Sequence, residues 1–132
     1  SHTIITPHRE EVQRILGKVS LSHETCQEYV NKKKVTLVLK GSPTVVFYPQ
    51  TKPLIIPLGD PGMATAGTGD VLTGIIGALL AQGLDTHMAA CVGPAIHGLA
   101  GEQCAAKKTS YGMMATDLID ELPNVFRLLL KR

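Results

Sequence analysis

The residues best suited to chemistry lie in one short glycine-rich segment, Ala66, Gly67, Thr68, Gly69 and Asp70, which leads directly into an apolar stretch. The two glycines permit a tight turn and let a ligand approach the backbone without meeting a Cβ atom. If a helix begins here, its first N–H groups and its dipole form an anion hole, lined from Ala66 to Gly69, for a phosphate or a developing oxyanion. The same dipole favours the ionised form of the Asp70 carboxyl group.

An anion hole beside a fixed carboxylate is suited to phosphoryl transfer to an alcohol. The hole stabilises charge on the transferred group, and Asp70 accepts the proton of the hydroxyl. The alternative is that Gly-Thr-Gly-Asp forms only a tight turn in which Asp70 caps the helix. The uncharged helix that follows, with Gly74 and Gly77 suited to close packing, favours the ligand site. The segment matches neither the P-loop nor Gly-x-Gly-x-x-Gly after a strand, so neither of those nucleotide sites is predicted.

The elements that must position this segment follow from residue types and spacing. Apolar and β-branched runs predict strands at residues 2–7, 35–39, 44–48 and 54–56, the second and third forming a hairpin. Helical spacing and capping residues predict helices at residues 9–16, 22–33, 70–82 and 86–107. Thr116 is expected to cap a last pair of helical turns, interrupted at Pro123 and ending near Leu130.

The stretch from Pro53 to Ala106 contains no Lys or Arg. Its longest uncharged run, residues 71–84, is shorter than the roughly 20 apolar residues that span a bilayer, so a buried helix and no membrane span is predicted. Helices 70–82 and 86–107 are apolar on most sides, yet only about four short strands are available to cover them. The sequence therefore indicates half of a larger α/β domain.

The composition narrows the class of protein. With 132 residues, 44% of them hydrophobic and 18% charged, and a net charge of +2, the chain has the size and composition of one globular domain. An aromatic content of 4%, without Trp, and the small basic excess argue against nucleic-acid binding. Cys26, Cys91 and Cys104 lack metal-binding or CxxC spacing and are expected to be reduced, buried thiols. With no signal-peptide pattern at the start, this predicts a cytoplasmic protein.

The sequence around the anion hole resembles a known signature. Residues 64–76 are similar to the motif of the ADP/ATP-dependent NAD(P)H-hydrate dehydratases, which belong to the ribokinase superfamily. Further segments that resemble this family, in the same order, are residues 6–8, 38–44, 97–101 and 115–118. The resemblance implies an α/β, ribokinase-like fold, with residues 1–132 as the C-terminal half of one domain, a portion of the sheet flanked by helices.

The resemblance implies a repair activity. NADH or NADPH hydrated at C6 of the nicotinamide ring would be dehydrated, by phosphorylation of the ring hydroxyl and elimination of phosphate. ADP or ATP is the implied phosphoryl donor and Mg²⁺ the implied cofactor, with no residue of this chain assigned as a metal ligand. His8 and Asp70 are expected to contact the hydrated substrate, with Asp70 as the base. The residues expected to contact the nucleotide are Lys40, Gly41, Ser42, Pro43, Thr44 and Gly69.

Because family members are longer, the resemblance also implies that an N-terminal half is absent from this chain. A packed partner is therefore expected, either that half or further copies of the chain in a homo-oligomer. Two other functions stay open: a ribokinase-like kinase of a small alcohol such as a vitamin precursor, and an inactive nucleotide-binding fragment.

Several residues also have simpler interpretations. Taken alone, His8 is a turn histidine at the start of a helix, and Lys40 is a surface lysine at a hairpin. His97, inside a helix, is interpreted as a packed, hydrogen-bonded histidine and not as a ligand. Glu102 is expected to be a surface charge, and the pair Met113–Met114 is expected to fill the core.

Overall fold

The computed structural model describes residues 2–17 and 20–131. Along the chain the strands and helices are β1 (Ile4–Ile5), α1 (Arg9–Leu16), α2 (His23–Lys33), β2 (Thr36–Leu39), β3 (Thr44–Phe47), β4 (Leu54–Ile56), α3 (Thr68–Ala81), α4 (Thr86–Lys108) and α5 (Ala115–Leu129). Two short 3-10 turns, Pro61–Met63 and Ser110–Gly112, flank α3 and α4. The predicted strands and helices are confirmed, with differences at their ends.

The described strands form one mixed sheet in the order β1-β2-β3-β4. β1 lies parallel to β2, with Ile4 opposite Thr36, whereas β2, β3 and β4 pair antiparallel. Since side chains alternate across a strand, Leu37 and Val38 of β2 enter different cores. Leu37 packs on the side of α1 and α2, and Val38 packs on the side of α3 and α4.

Helices cover both faces of this sheet. Val12 of α1 and Val30 of α2 pack on one face against Phe47 of β3. On the other face, Leu72 and Ile76 of α3 share a core with residues of α4. α5 lies outside these helices, and its Leu118 and Val125 pack with α3 and α4 in a third cluster. The result is an α/β arrangement of sheet and flanking helices, as predicted.

Two predictions about α5 are wrong. The helix begins at Ala115, because Oδ2 of Asp117 accepts from the backbone N–H of Met114 at 2.8 Å, and a Thr116 cap is not used. Pro123 does not interrupt the helix, which continues to Leu129. Both Pro123 and Ile119, whose carbonyl loses its helical donor, are exposed, so water can replace the missing hydrogen bond.

The prediction of a buried α3 holds for one face of the helix within the described residues. Leu72, Ile75 and Ile76 are buried, but the opposite face is exposed from Thr73 to Ala81. A Cβ added at Gly74 or Gly77 would meet nothing within 4 Å, so neither glycine serves close packing within the described part of the chain. Within residues 2–17 and 20–131, no helix is long and apolar enough to cross a membrane.

The sulfur-containing residues follow the prediction in part. Cys26, Cys91 and Cys104 are all free thiols, but Cys91 is only half-buried. Burial raises the pKa of each thiol, so all three favour the neutral form. Met113 is buried in the core, whereas Met114 is exposed, because it stands just before the first turn of α5.

Candidate functional site

The start of α3 is an open helix N-terminus. The helix begins at Thr68, two residues before the predicted start, and is preceded by Gly67 in the left-handed conformation with φ 92°. No side chain caps it, and the N–H groups of Gly69 and Asp70 have no acceptor among the described residues. These groups therefore point into the glycine-rich loop and can bind an anion.

The loop before α3 is held by hydrogen bonds to its carbonyl oxygens, which leave the N–H groups of Gly69 and Asp70 open. The Thr68 hydroxyl lies 2.6 Å from the Met63 carbonyl oxygen and 2.9 Å from that of Thr65, and donates toward both. The Thr73 hydroxyl donates to the Gly69 carbonyl at 3.1 Å. With its hydrogen used there, it accepts a hydrogen bond from the Thr6 hydroxyl at 3.3 Å. The first turn of α3 is thus connected to the end of β1.

The segment from Leu58 to Met63 is packed on α4, where small residues let it come close. An added Cβ at Gly98 would lie 2.7 Å from Leu58, and one at Gly101 would overlap Met63. The Glu102 carboxylate accepts from the Gly59 N–H at 3.2 Å. Glu102 is an exposed helix residue, as predicted. Its hydrogen bond to Gly59 also anchors the loop to α4.

Lys40 lies at the C-terminal end of β2 and reaches the start of α3. Its Nζ is 2.8 Å from the position that a Cβ on Gly69 would take. No ion pair to Lys40 is formed within the described residues, so its ammonium adds positive charge to the anion hole. The lysine predicted to contact the nucleotide and the glycine predicted to line the anion hole are therefore neighbours.

The turn that follows Lys40 is exposed. Gly41, Ser42 and Pro43 form the β2–β3 connection, and the Thr44 hydroxyl donates back to the Gly41 carbonyl at 3.3 Å. The backbone of this turn is open to solvent. Its role as a nucleotide contact stays a prediction.

His8 lies next to Lys40 in the sheet, where the two residues form a parallel bridge. It is also the N-cap of α1: its Nδ1 accepts from the Glu11 N–H at 3.3 Å, and Oε2 of Glu11 accepts from the His8 N–H at 2.8 Å. The hydrogen bond from the His8 backbone holds the pKa of Glu11 below its usual value. Both interpretations of His8, as a turn residue and as a residue near the site, agree with this position.

Asp70 is exposed in the first turn of α3, and its carboxylate has no hydrogen-bond or ion-pair partner among residues 2–17 and 20–131. It stands at the edge of an open, mainly apolar groove of about 320 Å³. The other residues that line this groove are Val71, Gly74, Ile75, Ile119 and Leu122. A carboxylate without a protein partner is free to act on a bound molecule.

Three supporting residues were not predicted from the sequence. Glu11 follows His8 at the spacing of a capping box, a signal that could have identified it. The hydroxyls of Thr6 and Thr73 meet only because β1 and α3 are adjacent, and no local pattern indicates that pair. His97 is packed and hydrogen-bonded, as predicted: it is half-buried, and its Nε2 lies 2.9 Å from the Thr68 carbonyl oxygen.

Comparison with known proteins assigns the family. The family model described as NAD(P)H-hydrate dehydratase matches residues 1–124. The chain belongs to this family. It is 44% identical over 129 residues to the bifunctional NAD(P)H-hydrate repair enzyme Nnr of Moorella thermoacetica, a match that covers 94% of this chain and 24% of that protein.

Solved structures agree with the family assignment. An ADP/ATP-dependent NAD(P)H-hydrate dehydratase from Bacillus subtilis, co-crystallised with ATP and Mg²⁺, matches with a TM-score of 0.88 and 31% identity over 95% of this chain and 47% of that one. A ribokinase-like superfamily protein from Enterococcus faecalis matches with a TM-score of 0.80 and 32% identity over 98% and 45%. The fold is therefore ribokinase-like, and the chain spans about half the length of these structures.

Proposed function

We propose that the protein containing this chain is a nucleotide-dependent dehydratase that restores NADH or NADPH from the hydrated cofactor. The observation that carries this proposal is the juxtaposition at the start of α3. The open N–H groups of Gly69 and Asp70 and the unpartnered Asp70 carboxylate belong to the first turn of α3, and the Lys40 ammonium lies 2.8 Å from the position that a Cβ on Gly69 would take. Family membership supports the choice of hydrated NAD(P)H as substrate.

The nucleotide phosphates would occupy the anion hole formed by Ala66, Gly67, Thr68 and Gly69. Lys40 would neutralise charge on the transferred group, and the turn from Gly41 to Thr44 would contact the rest of the nucleotide. This assignment is supported by the distance of Lys40 from Gly69 and by the exposure of the turn. A helix dipole and an ammonium together favour a polyanion more than either does alone.

Asp70 would act as the base on the ring hydroxyl. As the hydroxyl oxygen bonds to the terminal phosphorus, the carboxylate takes its proton and the nucleotide leaves one phosphate shorter. The C6–O bond, present since hydration, then breaks, phosphate departs with that oxygen, and the adjacent ring carbon loses a proton to water, which restores the double bond. His8, beside Lys40 in the sheet, would contact the hydrated ring.

Magnesium fits this site as an ion carried by the nucleotide. Within residues 2–17 and 20–131, no group of three or more His, Cys, Asp or Glu side chains could hold a metal ion. Mg²⁺ commonly binds through substrate phosphates, water and one or two carboxylates, and Asp70 is the nearest carboxylate to the anion hole along the chain. When bound, the ion would neutralise negative charge on the phosphates.

The missing half of the domain would complete the substrate site. Among the described strands, β1 is an edge strand with one side unpaired. The face of α3 that carries Gly74 and Gly77 is uncovered. Beside that face, Ile119 of α5 is 50% exposed. An N-terminal half, or a second copy in a homo-oligomer, would cover these surfaces. We place the protein in the cytoplasm, a choice to which the three free thiols lend support.

An assay with hydrated NADH tests the proposal. The whole protein that includes these 132 residues is incubated with hydrated NADH, Mg²⁺ and either ADP or ATP, and the recovered NADH absorbance is followed. Thiazole-type and pyridoxal-type alcohols serve as competing substrates. Recovery of NADH with release of phosphate is expected. Phosphorylation of an alcohol without NADH recovery would instead identify a small-alcohol kinase. The 132-residue chain is assayed in parallel, and nucleotide binding without turnover by that chain alone would identify it as an inactive nucleotide-binding fragment.

A further inference from the structure

His97 lies directly behind the start of α3. Its ring nitrogen Nε2 is 2.9 Å from the carbonyl oxygen of Thr68, the first residue of the helix. Because a carbonyl oxygen only accepts, Nε2 must carry the hydrogen in this bond. The contact joins α4 to α3 across 29 residues of sequence.

The direction of this hydrogen bond determines where the next N–H group points. In a trans peptide group the C=O and N–H bonds point in opposite directions. With the Thr68 carbonyl turned toward His97 on α4, the Gly69 N–H is turned away from α4. It is therefore left open on the side of the loop away from α4, and the Lys40 ammonium lies close to the same glycine.

An anion-binding helix N-terminus needs such support more than an ordinary one. Helix ends commonly gain order from a capping side chain, which uses the same N–H groups that an anion would need. Here Gly67 provides no cap, and the N–H groups of Gly69 and Asp70 are left open. Order in this turn must then come from groups that bind its carbonyl oxygens and the Thr68 hydroxyl.

We propose that His97 is a positioning residue that orients the first turn of α3 for phosphate through its hydrogen bond to the Thr68 carbonyl. This inference rests on the proposed nucleotide site. His97 does not touch the reacting atoms and acts through the peptide group between Thr68 and Gly69.

The protonation state of His97 agrees with this role. Burial lowers the pKa of His97, the hydrogen bond to Thr68 opposes that effect, and the charge of Lys40 adds to the lowering. The imidazole is therefore neutral near pH 7, with its single hydrogen on Nε2. Lys40 then remains the cation of this site, and His97 contributes orientation without charge.

The test compares His97→Leu, which removes the donor, with His97→Gln, whose amide NH₂ can take the place of Nε2–H. ADP and ATP affinities of the whole protein are measured by calorimetry at temperatures where every variant is folded. We expect His97→Leu to weaken binding by about 3- to 10-fold, as for a lost hydrogen bond, and His97→Gln to restore most of it. Ile96→Val, a truncation of the buried neighbour on α4, is the control for a general loss of packing.

Amide hydrogen exchange, without nucleotide, provides a second readout. The Val71 N–H donates to the Gly67 carbonyl at 3.2 Å and closes the first turn of α3, whereas Ile76 lies in the middle of the helix. His97→Leu should raise the exchange rate of Val71 relative to Ile76 by about 3- to 10-fold. Ile96→Val should leave that ratio unchanged.

The two readouts separate failure of this inference from failure of the proposed function. If the protein binds neither ADP nor ATP, the nucleotide site is wrong, and exchange at Val71 still decides whether His97 orders the turn. The inference is overturned if His97→Gln resembles His97→Leu in both readouts. It is also overturned if Ile96→Val weakens nucleotide binding or changes the exchange ratio as much as His97→Leu does.

Discussion

Nζ of Lys40 lies 2.8 Å from the point where a Cβ on Gly69 would stand, so the ammonium occupies the space that any side chain at position 69 would need. A residue at the end of β2 and a residue in the first turn of α3 are therefore neighbours, with the ammonium beside the open end of the helix. The pairing explains why glycine is suited to position 69 and suggests what each residue contributes to nucleotide binding.

The first prediction concerns the charge of Lys40. In Lys40→Met the stem of the side chain remains but the ammonium is lost, so ADP and ATP affinity should fall by about 10- to 100-fold, the range for a hydrogen bond to a charged group. Calorimetric titration measures the affinity. Lys52→Met removes an exposed lysine in the β3–β4 connection and is the matched control, which should bind nucleotide normally. Equal affinities for Lys40→Met and the control would exclude Lys40 from the site.

The second prediction concerns the absence of a side chain at Gly69. Gly69→Val places branched methyl groups where phosphate approaches and where Lys40 Nζ lies, and the flexible lysine tip can move aside. Nucleotide binding should be lost while the protein stays folded, as followed by calorimetry and thermal unfolding. Ala106→Val, at an exposed position of α4, is the control for a β-branched residue in a helix. Unchanged ADP and ATP affinity in Gly69→Val would show that phosphate binds elsewhere.

The third prediction concerns the base. Asp70→Asn keeps the size of the side chain but removes its capacity to accept a proton. Turnover of hydrated NADH by the whole protein should fall by about 10²- to 10⁴-fold, the usual scale for loss of a general base, with nucleotide affinity largely retained. Asp120→Asn, an exposed carboxylate on α5, provides the comparison. Near-normal turnover in Asp70→Asn would remove Asp70 from the mechanism.

The sequence predicts the elements of this fold better than their ends. The loop from Ala66 to Asp70 and the helix after it are local features, set by glycine and by an apolar run. The start of α3 at Thr68 is different, because it depends on hydrogen bonds from the Thr68 hydroxyl to Met63 and Thr65. Helix ends are decided by such contacts, which residue types alone do not specify.

The sequence does not predict which segments that are far apart along the chain come into contact. The roles of Lys40 and His8 come from a family resemblance, since a lysine at a hairpin and a histidine before a helix are common. Their adjacency is a property of the parallel pairing of β1 and β2. Likewise, the hydroxyl pair Thr6–Thr73 and the anchor Glu102 depend on packing between elements that are far apart in sequence. Single-sequence patterns carry no information about such pairs.

The fourth prediction concerns stability in acid. Hydrogen bonds from Lys107 and Asn124 to Glu121, and from Lys108 and the Met114 N–H to Asp117, hold the pKa of both carboxyl groups below their usual values. A lowered folded-state pKa contributes stability above the unfolded pKa, about 4 for these acids, and that stability is lost as pH falls through the folded value. The free energy of unfolding should therefore decrease on acidification below about pH 4.

Lys107 offers a specific check on this effect. Its Nζ lies 2.7 Å from Oε1 of the buried Glu121 and connects α4 to α5. In Lys107→Met the pKa of Glu121 should return toward its usual value, so the loss of stability in acid should be smaller than in the unmodified protein. Urea unfolding at neutral and acidic pH measures the difference, with Lys52→Met as control. An unchanged acid dependence in Lys107→Met would mean that this ion pair does not contribute to it.

The last prediction concerns the uncovered face of α3. An added Cβ at Gly77 meets nothing within 4 Å, so Gly77→Arg should leave the fold of these 132 residues intact, and the better helix propensity of Arg should raise stability slightly. In the whole protein the same arginine would enter an apolar interface with the N-terminal half or a second copy, and it should lower the unfolding temperature or dissociate the assembly. Opposite signs in the isolated chain and the whole protein are therefore expected. Thermal unfolding and analytical ultracentrifugation measure both effects, with Ala106→Arg as control at an exposed site of α4. The two-half site would be disproved if the 132-residue chain alone proved monomeric, cooperatively folded and active on hydrated NADH.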